Sequence, residues 1–459
     1  MQIQPQIPPP PPRGPIRRTY QRRARITSCG ALLLPIVALL GIEYRIRFDS
    51  FSFTLAELSL PLALVALLFG IRKGLTKQFD SLYFVALIMI AMFGLTSVLA
   101  APDTLHAMSV YRDLLAPCLF FGILLSIPLS RHDVSILVKA YVAVATINAC
   151  LGIVQFYTGQ FVWFHEPDGY VSEAAKVAQI RQSVLGALLG IKDNLPVGLY
   201  AGMNNFASYL VPPCLMSLAL SRMKPLSKRS RFGWRAATVI LTFGLILTFS
   251  RASVLSLGLG IPLTIRAIAK ARLRVAVTGL VLLVGLAIMV AVIGSGVVSW
   301  DDLGTGAGRI DMVTNGLAFL ESHPIVLLLG GGTWNYFAEY SATQVVHNLC
   351  VYLVLQFGVV VAGAWLFIVT TAQLRAFRQL PRVEGNHQLL ALALWASAFV
   401  TLYIYGQTAS FADMVQAAMW LFLLQALAIH LLRREPALML VRPKHLAVMR
   451  VIANPMRDR

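Results

Sequence analysis

Apolar runs long enough to cross a bilayer recur along most of the chain and constrain its fold more than any other feature. An α-helix needs about 20 consecutive apolar residues to span the hydrocarbon core. Only 13% of the residues are charged, against about 25% in soluble proteins, and the mean hydropathy is +0.71. The sequence therefore predicts an all-α polytopic membrane protein.

The apolar runs predict about twelve transmembrane helices, counted at the length that a membrane span requires. The predicted spans cover roughly residues 28–44, 54–71, 81–100, 108–128, 136–156, 205–221, 236–250, 252–269, 275–295, 347–371, 389–405 and 414–432. They form a transmembrane domain over residues 28–432, with an N-terminal arm (1–27) and a C-terminal tail (433–459). The arm is proline-rich and then arginine-rich, so it is predicted to be disordered.

Basic residues indicate how the spans are oriented. If both termini are cytosolic, the basic clusters of the arm, the tail and the short loops all lie on the cytosolic side. The loop clusters fall near residues 72–77, 222–231, 270–274 and 375–382. The positive-inside rule describes this distribution. It also accounts for the net charge of +19, so membrane lipid is an expected partner and nucleic acid is not.

The same topology places two long segments, about 157–204 and 296–346, on the outer side. Both exceed ordinary connections, which favours functional loops, and both are predicted to contain short helices. In the second loop four apolar residues recur at helical spacing: Ile310, Val313, Leu317 and Leu320. One face of that helix is therefore expected to be buried, and His323-Pro324 is predicted to end it.

Arginines on the outer side are candidates for chemistry, because the positive-inside rule disfavours them there. They are Arg112, Arg181, Arg251 and Arg309. A guanidinium can bind two phosphate oxygens at once, which makes these residues candidate anion ligands. Arg251 lies at the turn between two spans, and Arg309 follows a glycine-rich stretch at the predicted start of the loop helix. For Arg112, an ordinary ion pair with the adjacent Asp113 is an equally good interpretation.

His347 and Asn348 stand where the second loop meets the next span. Histidine is well suited to accept a proton near neutral pH, and the asparagine can orient the ring or a substrate. An ordinary interfacial histidine is the alternative interpretation. Asn204 and Asn205 precede another span, where one is predicted to cap the helix and both could face a sugar. The sequence contains no metal-ligand spacing and no cofactor motif, so neither metal nor cofactor is expected.

Four segments together resemble the O-antigen ligase and O-antigen polymerase superfamily of bacterial envelope proteins. They are Gly-Leu-Tyr-Ala-Gly-Met-Asn-Asn-Phe-Ala at 198–207, Leu-Thr-Phe-Ser-Arg-Ala-Ser-Val-Leu at 247–255, the loop from Gly308-Arg309 through His323-Pro324 to Gly330-Gly331-Gly332, and His347-Asn348 with Gly358 downstream. The resemblance covers about residues 195–370. The layout of about twelve spans suits the rest of the chain.

The resemblance implies that the protein transfers a glycan from undecaprenyl diphosphate to an acceptor hydroxyl, at the periplasmic face of the bacterial inner membrane. The residues expected to bind the diphosphate are Arg112, Arg181, Arg251 and Arg309. His347 would be the base or would position the acceptor, and the asparagines Asn204, Asn205 and Asn348 would position substrate.

The identity of the acceptor stays open at this point. A ligase, the favoured expectation, would use lipid A–core as the acceptor. A polymerase would use another lipid-linked repeat unit, and a protein-glycosylating relative would use a protein. The rival interpretation from another class is a transporter in which the outer arginines form an anion site.

Overall fold

A computed structural model describes most of the predicted transmembrane domain. The described residues are 29–43, 45–48, 51–71, 81–101, 104–159, 196–200, 203–265, 304–331, 348–403, 406 and 415–433. The arm, the tail, the predicted span at 275–295 and most of the first outer loop lie outside these ranges.

Helices make up nearly all of the described chain. They are α1 (Cys29–Leu40), α2 (Ser59–Ile71), α3 (Ser81–Ala100), α4 (Thr104–Ser126), α5 (Arg131–Thr158), α6 (Met203–Arg222), α7 (Lys228–Leu247), α8 (Arg251–Ile265), α9 (Gly304–Ser322), α10 (Pro324–Leu329), α11 (Leu349–Gln379), α12 (Gly385–Tyr403) and α13 (Val415–Leu432), with 3-10 turns at Leu55–Leu58 and Leu380–Arg382. Apart from 275–295, each predicted span coincides with a helix.

Five described helices are both long and apolar enough to cross a membrane. They correspond to α3, α4, α5, α11 and α13, and α1, α2 and α8 are shorter apolar helices. Helix α13 is the central one, because 94% of its apolar window is buried, whereas 28% is buried in α3. The chain thus carries the apolar helices of a membrane protein.

A small hairpin interrupts the helical pattern between α1 and α2. The strands β1 (Arg45–Phe48) and β2 (Phe51–Thr54) pair antiparallel, with Arg45 opposite Thr54. The hairpin is a local feature, and the other described elements are helical, so the predicted all-α class is confirmed. Charged and apolar residues alternate in β1 with the period of two that suits a strand.

Helix α11 is broken at Gly358, whose backbone (φ 81°, ψ 166°) is not helical. Beside the break, the Gln356 carbonyl accepts hydrogen bonds from two groups of other elements. The Gly331 N–H donates to this carbonyl at 2.8 Å, and the Ser97 hydroxyl donates to it at 2.5 Å. A Cβ on Gly330 or on Gly358 would collide with the facing backbone. Helix α10 therefore ends in a glycine turn that docks, backbone to backbone, into the break.

The second predicted loop is helical where it is described. Helix α9 begins at Gly304 and ends before His323-Pro324, which confirms the predicted helix and its end. Phe319 and Leu320 of α9 are buried and pack with Val351 and Leu355 of α11. Leu317, expected on the buried face, is instead 54% exposed.

The helix termini gather at two opposite ends of the bundle. At one end the Glu43 N–H donates to the Leu199 carbonyl at 2.8 Å. At the other end the Arg131 guanidinium donates to the Arg433 carbonyl at 3.0 Å. Helix α5 connects the two, because it begins at Arg131 and reaches residues that bond the 197–200 segment. These are called the Glu43 end and the Arg433 end below.

Candidate functional site

Two buried amides hold the segment 197–200 at the Glu43 end. Asn148 donates to the Gly41 carbonyl at 3.0 Å and accepts the Leu199 N–H at 2.8 Å. Gln155 donates to the Gly198 carbonyl at 2.9 Å and accepts the N–H groups of Val197 and Gly198. Both side chains are essentially buried, and a buried backbone group without a partner is costly. The amides therefore fix the first half of the Gly-Leu-Tyr-Ala-Gly-Met-Asn-Asn segment.

The sequence interpretation missed Asn148 and Gln155. They are seven residues apart in α5, so they lie on the same face of that helix. Polar side chains in an otherwise apolar span are often used to join helices or loops. That spacing was the signal that could have identified them.

The glycine and the tyrosine of this segment have structural roles. Gly198 has a φ of +57°, and a Cβ there would collide with Asn148 and with the Phe206 ring. The Tyr200 hydroxyl donates to the Leu40 carbonyl at 3.0 Å. Burial raises the pKa of Tyr200 well above its usual range, so the hydroxyl stays protonated and able to donate. Packing and backbone bonding thus explain both residues.

The two asparagines of the segment lie in the first turn of α6. The helix begins at Met203, so the prediction that Asn204 or Asn205 occupies the capping position is wrong, because the helix extends further towards the N-terminus. The Asn205 amide lies 3.3 Å and 3.4 Å from the two carboxylate oxygens of Glu43. The structure therefore joins Asn205 to an acidic residue that was not among the predicted site residues.

Arg112 has two carboxylate partners. Its guanidinium lies 2.8 Å from Glu57 and 2.8 Å from Asp113. Glu57 also accepts the Thr54 N–H at 2.5 Å and the Thr54 hydroxyl at 3.1 Å. These contacts favour the ordinary ion pair, and a role of Arg112 in binding diphosphate stays a prediction.

Arg251 is the first residue of α8, directly after a tight turn. Phe249 in this turn has a φ of 54°, which is uncommon for a residue other than glycine. Ser250 follows, and its hydroxyl bonds to that of Ser253 at 3.1 Å. Arg309 lies in the second turn of α9 rather than at its start, because the glycines before it are already helical.

Asn348 caps α11, the helix that follows His347. Its side-chain oxygen accepts the N–H groups of Cys350 and Val351, both at 3.1 Å. This bonding gives the asparagine a structural function, while substrate positioning stays a prediction. His347, Arg181 and the side chains of Arg251 and Arg309 lie outside the described residues.

The starts of α6, α8 and α11 lie at the Glu43 end, with Arg112. Helix α7 brings Arg251 there, since a Cβ on Gly244 would sit 3.3 Å from Ala149, the neighbour of Asn148. Helix α11 runs in the same direction as α13, because Trp365 packs on Phe422 and, further along both helices, Gln425 donates to the Val369 carbonyl at 3.2 Å. The motif segments that the structure describes therefore share one end of the bundle.

Comparisons with known proteins add no family to this description. Neither the models of known protein families nor the curated proteins gave a match to the chain. The residues gathered at the Glu43 end and the motifs in the sequence are therefore the features that bear on function.

Proposed function

We propose that this chain is a membrane glycosyltransferase of the O-antigen ligase type. It transfers a glycan from undecaprenyl diphosphate to an acceptor hydroxyl of lipid A–core. The observation that carries the proposal is the shared position of the starts of α6, α8 and α11 at the Glu43 end. Arg251 and the residue after His347 both stand at such helix starts, where backbone N–H groups favour an anion.

In the proposed reaction, the bond between the anomeric carbon and the diphosphate oxygen breaks as the acceptor oxygen bonds to that carbon. Undecaprenyl diphosphate leaves as an anion, and the proton of the acceptor hydroxyl passes to His347. Arg251 and Arg309 bind the leaving diphosphate, because preorganised positive charge stabilises charge that develops in the transition state. The sugar donor is already activated, so the reaction needs no nucleotide.

The proposed topology has about twelve spans and two long periplasmic loops. The Arg433 end faces the cytosol of a bacterium and the Glu43 end faces the periplasm. The support is the charge distribution, since the basic residues Arg131, Lys224 and Arg433 lie at one end.

Cysteine labelling tests the orientation. In a Cys150→Ser background, Thr104→Cys, exposed at the Glu43 end, should react with an impermeant maleimide in spheroplasts. Ser227→Cys, exposed near the Arg433 end, should react only after lysis. The reverse pattern would overturn the orientation.

A transfer assay with purified components tests the proposed function. Purified protein is incubated with glycan-linked undecaprenyl diphosphate and lipid A–core, without nucleotide or metal. Arg251→Ala and His347→Ala are each expected to lower transfer about 10²- to 10³-fold, the range for loss of a preorganised group in an active site. The matched controls, Arg231→Ala and His132→Ala, lie near the Arg433 end and should keep wild-type transfer. Full activity in Arg251→Ala and His347→Ala would overturn the proposal.

The same assay separates the alternatives. Lengthening of the lipid-linked glycan without modification of lipid A–core would identify a polymerase. Glycan attached to an added protein acceptor would identify the protein-glycosylating type. Absence of any product with well-folded protein would favour the transporter.

One observation favours the transporter as the second candidate. Transporters often bind substrate at broken helices near the middle of the membrane, and α11 is broken at Gly358. In this chain, however, Gly331 and Ser97 bond the Gln356 carbonyl beside the break. The break is thus filled by protein groups, which weakens the comparison with a substrate site.

A further inference from the structure

A small cavity opens at the Glu43 end, between α5, α6, α12 and α13. Its aromatic wall includes Tyr209 and Trp420, and its polar lining includes Glu43, Asn205, Ser208 and Gln416. The enclosed space is enough for a few water molecules, and the mouth is open. The cavity can therefore admit a small polar group that belongs to a larger ligand outside.

Tyr209 is one of the lining residues, and its hydroxyl lacks a partner among the described residues. Tyr209 is 4% exposed, and no described residue forms a hydrogen bond with its hydroxyl. The ring is fixed against Tyr200 and Trp420, at centroid distances of 4.8 Å and 5.4 Å. Gly41 leaves room for the hydroxyl, since a Cβ there would lie 3.1 Å from it. A buried hydroxyl without a partner is costly. This one is covered in the structure, but it has unused bonding capacity beside the cavity.

Charge decides which ligands fit the cavity. Among the described residues of the lining, only Glu43 is charged at neutral pH. A carboxylate repels phosphate, so the cavity does not suit the diphosphate of the lipid donor. Carboxylate oxygens accept hydrogen bonds from hydroxyls, and the amide of Asn205 can both donate and accept. This combination suits an uncharged group that carries hydroxyls.

We propose that this cavity binds the hydroxyl-bearing edge of a sugar ring. The inference rests on the proposed function, in which a glycan and a hydroxyl acceptor meet at the Glu43 end. Glu43 and Tyr209 would bond the sugar hydroxyls, and the negative charge would direct the diphosphate to the arginines instead. The cavity would thus contribute to sugar specificity, and other residues would bind the diphosphate leaving group.

Direct binding of simple sugars tests the proposal without the transfer reaction. Methyl glucoside, methyl galactoside and N-acetylglucosamine are titrated against the full chain in nanodiscs, by saturation-transfer difference NMR. Tyr209→Phe removes only the hydroxyl and should weaken binding of the preferred sugar about tenfold, as loss of one buried hydrogen bond predicts. Tyr111→Phe is the matched control, because that hydroxyl bonds the Ala91 carbonyl elsewhere in the bundle. It should bind like the wild type.

A second pair of variants tests the role of the charge. Glu43→Gln should also weaken sugar binding, while Glu384→Gln, exposed near the Arg433 end, should not. Pyrophosphate should not displace the sugar from the wild type. Displacement by pyrophosphate, no saturable sugar binding by the wild type, or unchanged binding by Tyr209→Phe would each overturn the proposal.

The transfer assay keeps the two proposals separate. Sugar binding that depends on Tyr209, in a protein that transfers nothing, would support the cavity and refute the glycosyltransferase. Transfer with an unchanged KM for donor and acceptor in Tyr209→Phe would support the glycosyltransferase and refute the role of the cavity. A higher KM for one substrate alone would show which sugar occupies the cavity.

Discussion

The two ends of the bundle are built differently. At the Glu43 end, buried amides of Asn148 and Gln155 bond the backbone of a loop segment, and a polar cavity lies beside it. At the Arg433 end, the buried His430 ring bonds the Leu124 carbonyl at 2.9 Å, but other contacts that join the helices involve exposed residues, such as Asn386 with the backbone of Lys224. Chemistry requires groups that are fixed in position, whereas orientation in a membrane requires only charge. The difference supports the proposal that the functional site lies at the Glu43 end.

The largest expected loss of stability is caused by substitution of Gln155. Gln155→Leu leaves the N–H groups of Val197 and Gly198 and the Gly198 carbonyl without their partner. Each such group costs about 1–3 kcal/mol, so the free energy of unfolding should fall by on the order of 4 kcal/mol. Chemical unfolding in detergent measures this loss. Gln388→Leu is the control at the other end, and its amide makes one bond of 3.3 Å, to Leu380. Equal losses in the two variants would contradict the comparison.

The next effect concerns the break in α11. Gly358→Ala should destabilise the protein by on the order of 3 kcal/mol, because φ is 81° and the Cβ would meet the Leu328 carbonyl. Gly363→Ala, five residues further along the same helix, has open space for a Cβ and should be neutral or slightly stabilising. Thermal unfolding of the two variants provides the test. A tolerated Gly358→Ala would show that the docking of α10 into the break does not matter for stability.

These two sites show where prediction from sequence ended. The helices could be predicted because hydropathy alone marks a membrane span. The break at Gly358 could not, since it depends on Gly331, which lies 27 positions earlier in the sequence. Similarly, Glu43 enters the site only because α1 and α6 meet there, and no local pattern around residue 43 indicates that contact. Contacts between residues that are distant in the sequence therefore determine the features that could not be predicted.

A smaller effect is expected at Arg112. Arg112→Gln removes the guanidinium that forms an ion pair with Glu57, whose side chain is 7% exposed, and should cost on the order of 2 kcal/mol. The KM for the lipid-linked donor should change little, because the guanidinium is already bonded to two carboxylates. Transfer kinetics at varied donor concentration measure this, with Arg231→Gln as the control. A large rise in the KM for the donor would instead make Arg112 a diphosphate ligand, as the sequence predicted.

The smallest expected changes in stability concern two asparagines, one at each end of the bundle. Asn386→Ala removes bonds to the Lys224 backbone in an exposed position, so the free energy of unfolding should fall by less than about 1 kcal/mol. Transfer should be unchanged.

Asn205→Ala loses contacts of 3.3–3.4 Å to Glu43, which are long, so the stability of this variant should also change little. Its transfer activity should nevertheless fall, because the cavity loses an amide. Purified protein of both variants, compared in unfolding and in transfer, gives the result. If both asparagines affect stability alone, the Glu43 end differs from the other end in architecture but not in function.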